Sequence, residues 1–268
     1  MNILITGTDG FIGKNLKKSL KKHNILSINE DIFDNSNWIE DLQNKIWEFQ
    51  PEVVYHVGAC SNTLEQDVNY MMKLNYEFTK HLSDICLSLG IPLIYSSSAA
   101  NYGTNGQYPS NLYGWSKYAA EDYVLSNGGI ALRYFNVYGP GEEHKGKMAS
   151  VAYQMYKKDK ALLFPGNPKR DFIYIDDVVE ANIFAFENFN QLLPSYYEVG
   201  SGQAETFETI LNIMGINFEY LDKTLIPEGY QFYTCSNKEK WMPGWHPKYN
   251  LKKGLKKYLK YLNLSQVL

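Results

Sequence analysis

"NILITGTDGFIGKNLKKSL", residues 2–20, joins an apolar run to a helical pattern through a glycine turn. Gly7, Gly10 and Gly13 give the spacing G-x-x-G-x-x-G. The first glycine permits a tight turn, the second lets backbone approach a pyrophosphate, and the third lets helix and strand pack closely. Backbone N–H groups at the helix start, near Phe11 and Ile12, then face the phosphates, where the helix dipole favours negative charge. Between a strand and a helix this spacing predicts a dinucleotide-binding unit.

The chain alternates accordingly further on. Strands are expected at Ile25–Ile28, Glu52–His56, "PLIYSSS" and "IALRYF", with helices over Trp38–Phe49, Asp67–Leu89 and Tyr113–Ser126. That order predicts a Rossmann-type, doubly wound parallel α/β sheet. From Gly139 the pattern is less regular. "KMASVAYQMYKK" reads as a helix, "KRDFIYIDD" as a strand running into a helix capped by Asp176 or Asp177, and "SYYEVG" as a strand returning to the sheet. The expected division is a dinucleotide-binding domain over 1–138 that also receives 172–200. A smaller α/β substrate-binding domain then takes 139–171 and 201–268.

At 268 residues the chain buries a full core. A net charge of −3 and a pI near 6.0 speak for neither nucleic acid nor a membrane surface. The basic run from Lys248 to Lys260 carries Leu251, Leu255, Tyr258, Leu259 and Leu262 at helical spacing and reads as an ordinary amphipathic helix. Cys60, Cys86 and Cys235 stand far apart with no CxxC, which suits a reducing compartment and gives neither a disulfide framework nor a zinc site. Nothing precedes the first apolar run, so no signal peptide is expected, and no stretch reaches the ~20 apolar residues of a membrane span.

After the second strand, an acid reads the ribose 2′-hydroxyl of NAD and a base reads the 2′-phosphate of NADP. Here Asn29, Glu30 and Asp31 follow, with no Arg or Lys close behind, which leans toward NAD.

"YGWSK" sets Tyr113 and Lys117 four apart on one helix face. A phenol has a pKa of ~10 in solution, and a neighbouring ammonium favours the phenolate. Tyr113 is then suited to take a proton from a substrate hydroxyl while hydride leaves the same carbon. "YSSSAANYG" ends a strand at the sheet's carboxyl edge, where ligands bind in such folds, and Ser98 is the hydroxyl best placed to hold the same oxygen. A lone YxxxK is commonly a surface pair. The glycine turn, serine run and strand order together favour catalysis.

"TGTDGFIG", "SSSAANYG", "YGWSK" and "RYFNVYGPG", in that order, resemble the extended short-chain dehydrogenase/reductase family. "HVGACSNTLEQDVNYMM", "RYFNVYGPGEEHKGKMASVA", "PKRDFIYIDDV", "GSGQAETF" and "YQFYT" resemble most closely its nucleotide-diphospho-manno-heptose 6-epimerase branch, nearly end to end. The resemblance implies a cytoplasmic, homo-oligomeric nucleotide-sugar epimerase of lipopolysaccharide-core or related surface-glycan synthesis, with tightly held NADP. It implies cofactor contacts at Phe11, Ile12, Val57, Gly58, Ala59, Cys60, Ser61, Lys117 and Val137. It implies a triad of Ser98, Tyr113 and Lys117, with Lys145 as a second acid/base. Substrate contacts fall on Asn136, Lys147, Gln154, Phe164, Gly166, Asn167, Arg170 and Tyr230.

An unactivated carbinol carbon cannot be inverted by proton removal. It has to be oxidised to a ketone, presented on its other face and reduced again. A proton site on each side is then needed, and Tyr113 and Lys145 supply the two.

Several positions depart from the branch. Lys147 stands where it usually has Ser and Gln154 where it has His. Leu74 replaces a cofactor-side Asn, although Asn75 is adjacent, and the lysines that read NADP are missing. Arg170 is either a diphosphate ligand or a partner for Asp171 or Asp176. Tyr230 is either a substrate contact or packing. His56 and Cys60 read as structural, and His144 is given no role. A 4,6-dehydratase is disfavoured because Ala99 and Ala100 follow Ser98 where those enzymes carry Asp-Glu. A fucose-synthase-like enzyme would need a Cys beside that Ser. A 4-epimerase type remains an alternative, and a non-catalytic dinucleotide sensor has no use for a poised proton donor.

Overall fold

The computed structural model describes residues 1–264 apart from 105, 157, 159, 228 and 229. Its first half runs β1 (Asn2–Thr6), α1 (Phe11–Ser19), β2 (Asn24–Ile28), α2 (Trp38–Phe49), β3 (Val53–His56), α3 (Val68–Met72), α4 (Phe78–Leu89), β4 (Leu93–Ser98), α5 (Leu112–Ser126) and β5 (Ile130–Tyr134). The second half adds β6 (Asn136–Tyr138), α6 (Val151–Tyr156), β7 (Lys160–Leu163), β8 (Lys169–Tyr174), α7 (Ile175–Glu187), β9 (Tyr196–Val199), β10 (Ala204–Thr206), α8 (Phe207–Met214), β11 (Asn217–Tyr220) and α9 (Leu251–Leu264).

Six strands pair in the order β2-β1-β3-β4-β5-β9, all parallel. From β1 the chain moves one way to β2 and the other way to β3, so the switch point of this doubly wound sheet lies between β1 and β3. Both faces are covered, and the strands show it. In β1, Ile3 and Ile5 enter one apolar cluster and Leu4 the other, the two-residue period of a strand buried on both sides. The first cluster also gathers α1, α7 and α9, and the second α2, α4 and α5. Each fully buried Leu or Ile contributes roughly 1.5–3 kcal/mol.

The smaller sheets follow from the later strands. β8 lies between β10 and β6, and β11 pairs with β7. β8 spans the expected division between residues 171 and 172, and its Phe172, Ile173 and Tyr174 belong to the same core as β1.

Three local expectations change. The long helix over 67–89 is interrupted by a π turn at Lys73–Glu77. The helix expected over 147–158 is a 3-10 turn at Glu143–Met148, with Gly146 at φ 53°, followed by the short α6. α7 begins at Ile175 with no side-chain cap, because the Asp177 carboxylate instead accepts the N–H groups of Lys248 (2.8 Å) and Tyr249 (3.1 Å).

Candidate active site

A cavity of about 890 Å³ opens along the carboxyl edge of the six-stranded sheet. Its wall begins at the glycine turn. Gly7 has φ 69°, and a Cβ there would lie 2.4 Å from the Cα of Gly58. A Cβ on Gly13 would lie 2.1 Å from the Gly7 carbonyl oxygen. No side chain caps α1 at Gly10, so Gly10, Phe11, Ile12 and Gly13 present first-turn backbone to the cavity. An uncapped helix start beside a turn packed too closely for a Cβ at Gly7 or Gly13 fits a dinucleotide pyrophosphate.

The β3 loop is fixed from beneath by a buried histidine. Gly58 N–H donates to Thr6 Oγ1 (2.8 Å), which meets His56 Nδ1 at 2.7 Å, while His56 Nε2 meets Thr79 Oγ1 at 2.7 Å. Thr79 donates to the Asn75 carbonyl (2.7 Å), so it accepts from His56, which sets the proton on Nε2. Burial and the Lys117 charge hold this imidazole down at about 3. The Asn75 side chain then pairs with both the N–H (2.7 Å) and the carbonyl (3.0 Å) of Cys60. The π turn brings Leu74 to the cavity wall while Asn75 faces the loop.

α5 delivers the pair expected to be catalytic, Tyr113 and Lys117. Asn111 caps it, accepting from Gly114 N–H at 2.8 Å, and a Cβ on Gly114 would lie 2.8 Å from the Ala100 carbonyl. That close approach sets Tyr113 within hydrogen-bond reach of Ser98. Ser98 Oγ in turn accepts the Ala100 N–H at 3.1 Å. Lys117 is 2 % exposed, its ammonium 4.2 Å from the Tyr95 ring centre. Burial lowers Lys117 to about 7, against the opposing charge of Glu121. Burial also raises Tyr113, and the Ser98 hydrogen bond only partly offsets it. The expected lowering by the Lys117 ammonium is not found: only the Ser98 hydrogen bond lowers the phenol, and burial outweighs it. Behind the pair, Glu121 accepts from Arg133 Nε (2.8 Å) and Ser97 Oγ (2.6 Å), tying α5 to β5 and β4.

The 143–148 turn forms another part of the wall, with His144, Lys145, Lys147 and Met148. Lys145 is lowered by burial, opposed by Glu142. At the far side Arg170 is 8 % exposed. Its guanidinium donates to the carbonyls of Lys169 (3.0 Å) and Gln231 and lies 5.5 Å from the Tyr230 ring centre. Neither candidate carboxylate meets it. Asp171 accepts from Ser201, Gly202 and Ser236, and Asp176 pairs with Lys257 at 2.6 Å. Among the described residues this buried cation has no ion pair.

Of the remaining expected contacts, Asn29, Glu30, Val57, Gly58, Ala59, Ser61, Asn136 and Val137 line the cavity, whereas Asp31, Cys60, Gln154, Phe164, Gly166, Asn167 and Tyr230 do not. Gln154 is directed elsewhere, its amide donating to the carbonyls of Lys147 (3.0 Å) and Ala149 (2.7 Å). Gly166 (φ 98°) and Asn167 (φ 52°) form the turn before β8, and Phe164 packs edge-on against Tyr230 at 5.2 Å. Sequence reasoning passed over Gln231 and Thr234, which reach the wall in place of Tyr230. The motif "YQFYT" singles out the segment, but with no regular period nothing in it says which side chains turn inward.

The profile of the NAD dependent epimerase/dehydratase family matches residues 3–200. The ADP-L-glycero-D-manno-heptose-6-epimerase of Brachyspira hyodysenteriae is 36 % identical, the alignment covering 98 % of each chain. The crystal structure of the Helicobacter pylori ADP-L-glycero-D-manno-heptose-6-epimerase superposes with a TM-score of 0.83 at 27 % identity, over 98 % of this chain and 96 % of that one. The Thermotoga maritima UDP-glucose 4-epimerase, solved with UDP-glucose, gives 0.81 at 25 % identity, over 99 % of this chain and 100 % of that one.

Proposed function

The chain belongs to the NAD dependent epimerase/dehydratase family, and from that premise we propose that it inverts C6 of a nucleotide-diphospho-manno-heptose through a transient ketone. The observation that carries this reading is that Tyr113 and Lys145, from α5 and from the 143–148 turn, line one cavity. Bound NAD(P) supplies the hydride acceptor and donor. Tyr113, with Ser98 holding the same oxygen, serves the proton on one face of the carbinol. Lys145, its ammonium weakened by burial, serves it on the other. Lys117, near 7, stays close to the protonation balance that lets it support the phenol. Arg170, buried without a carboxylate partner among the described residues, takes the substrate diphosphate.

The adenosine end of the cavity favours NAD over NADP. Asn29, Glu30 and Phe33 form the wall there, and Tyr70 donates to Glu30 Oε1 at 2.9 Å. The cations of the wall, Lys117, Lys145, Lys147 and Arg170, come from α5, the 143–148 turn and β8. A 2′-phosphate would therefore face a carboxylate. The reading carries with it a cytoplasmic homo-oligomer serving surface-glycan heptose synthesis, in keeping with three unpaired cysteines. Among the described residues no helix is long and apolar enough to cross a membrane, and no metal-binding cluster is found.

The test is incubation of the purified protein with ADP- and GDP-manno-heptoses and with UDP-hexoses, followed by proton NMR. Exchange of configuration at C6 is expected. Inversion at C4 of a hexose, with none at C6 of a heptose, would shift the assignment to a 4-epimerase. Failure with every sugar would favour a dinucleotide sensor.

A further inference from the structure

Glu142 is fully buried at 0 % exposure and pairs with no cation among the described residues. Burial raises its pKa against the hydrogen bonds it accepts. Its Oε1 accepts from the Gly139 N–H at 3.2 Å and from Ser150 Oγ at 2.7 Å, and its Oε2 accepts from the Ser150 N–H. Its own carbonyl accepts the Lys145 N–H at 3.0 Å. The bonds from Gly139 and Ser150 fall within residues 139–150, and the carboxylate also faces the Tyr258 hydroxyl of α9, which anchors the loop to the fold. What they define is the turn that carries Lys145 into the cavity. The turn needs such a clip, because Gly146 breaks its helical backbone.

We propose that Glu142 is a positioning residue for proton transfer by Lys145: its carboxylate closes the 139–150 loop and holds the Lys145 amine at one face of the substrate carbon. The proposal rests on the two-site reading above and adds the device that makes the second site rigid. A carboxylate is needed rather than an amide. Whichever way the carboxamide of Glu142→Gln is turned, its NH2 faces a backbone N–H, of Ser150 or of Gly139. A disturbed clip loosens the Lys145 side and leaves Ser98, Tyr113 and Lys117, which stand on β4 and α5, where they are.

The experiment uses the purified holoenzyme and each C6 epimer of ADP-manno-heptose separately, reading single-turnover oxidation by the absorbance of reduced nicotinamide. In Lys145→Met, oxidation of one epimer is expected to collapse. In Glu142→Gln the same epimer should slow by at least about tenfold while the other stays within about twofold, the cost of a lost charge-assisted hydrogen bond. Trypsin cleavage after Lys145 and Lys147 should speed up by about tenfold relative to cleavage at the lysines of α9. Ser150→Ala, which deletes one donor and keeps the carboxylate, should show the same one-sided slowing to a smaller degree, and it serves if Glu142→Gln does not fold. Equal slowing of both epimers in the Glu142 and Ser150 variants, or of neither, overturns the positioning role. If Lys145→Met itself slows neither epimer, the two-site reading falls, and this proposal with it.

Discussion

The ammonium of Lys145 lies 5.7 Å from the ring centre of Phe11, so the turn bearing the proposed second proton site rests over the first turn of the glycine-rich helix. Asn15 reinforces the junction. Its amide donates to the carbonyls of Phe11 and Pro140, each at 2.9 Å. The glycine-rich turn and the 139–150 loop are thus tied together although 125 residues separate Asn15 from Pro140.

Tyr113→Phe removes the hydroxyl that reaches Ser98 and leaves the ring's packing in place. Epimerisation should fall roughly a thousandfold, the usual weight of a positioned acid/base. Dinucleotide affinity, measured by tryptophan fluorescence, should change little.

Arg170→Gln withdraws a buried cation that answers no carboxylate among the described residues. The Michaelis constant for the nucleotide-sugar should rise by about ten- to a hundredfold, the value of one or two charge-assisted hydrogen bonds. Initial-rate kinetics should show kcat much less affected. A fall in kcat alone would remove Arg170 from the diphosphate.

On the proposed reading Glu30 decides between the dinucleotides. NAD should bind at least about tenfold more tightly than NADP, and Glu30→Gln should narrow that gap by admitting the 2′-phosphate. Dissociation constants for both cofactors, by fluorescence or calorimetry, settle it. Tighter NADP binding by the unaltered protein would refute the reading.

His56 makes the fold acid-sensitive. Its folded pKa is lowered from 6.5 to about 3, so between those values the unfolded chain binds the extra proton and stability rises with pH. The contribution is complete above about pH 6.5 and is lost as pH falls toward 3, a change on the order of a few kcal/mol. Urea unfolding at neutral and mildly acidic pH should show that slope. His56→Gln should lower stability at neutral pH and flatten the dependence. An equal slope in the variant would assign it to other groups.

Much of this architecture is encoded locally. The glycine spacing after an apolar run, the alternation of Ile3, Leu4 and Ile5 between two cores, and the Tyr113–Lys117 interval each follow from backbone periods that neighbouring residues impose. Trp38–Phe49 forms the expected helix residue for residue. Tertiary and loop contacts decided the rest. Arg170 faces the cavity because Asp171 is taken up by Ser201, Gly202 and Ser236. Gln231 and Thr234, not Tyr230, turn inward because the 232–234 backbone runs along Lys169. Gln154 is spent on the carbonyls of Lys147 and Ala149 rather than on the cavity. A regular helix or strand tells each side chain which way to point through its own repeat. In an irregular segment such as 231–234 that direction is set by partners distant in sequence, and even on β8 and α6 the partners that Arg170 and Gln154 meet exist only once the chain has folded.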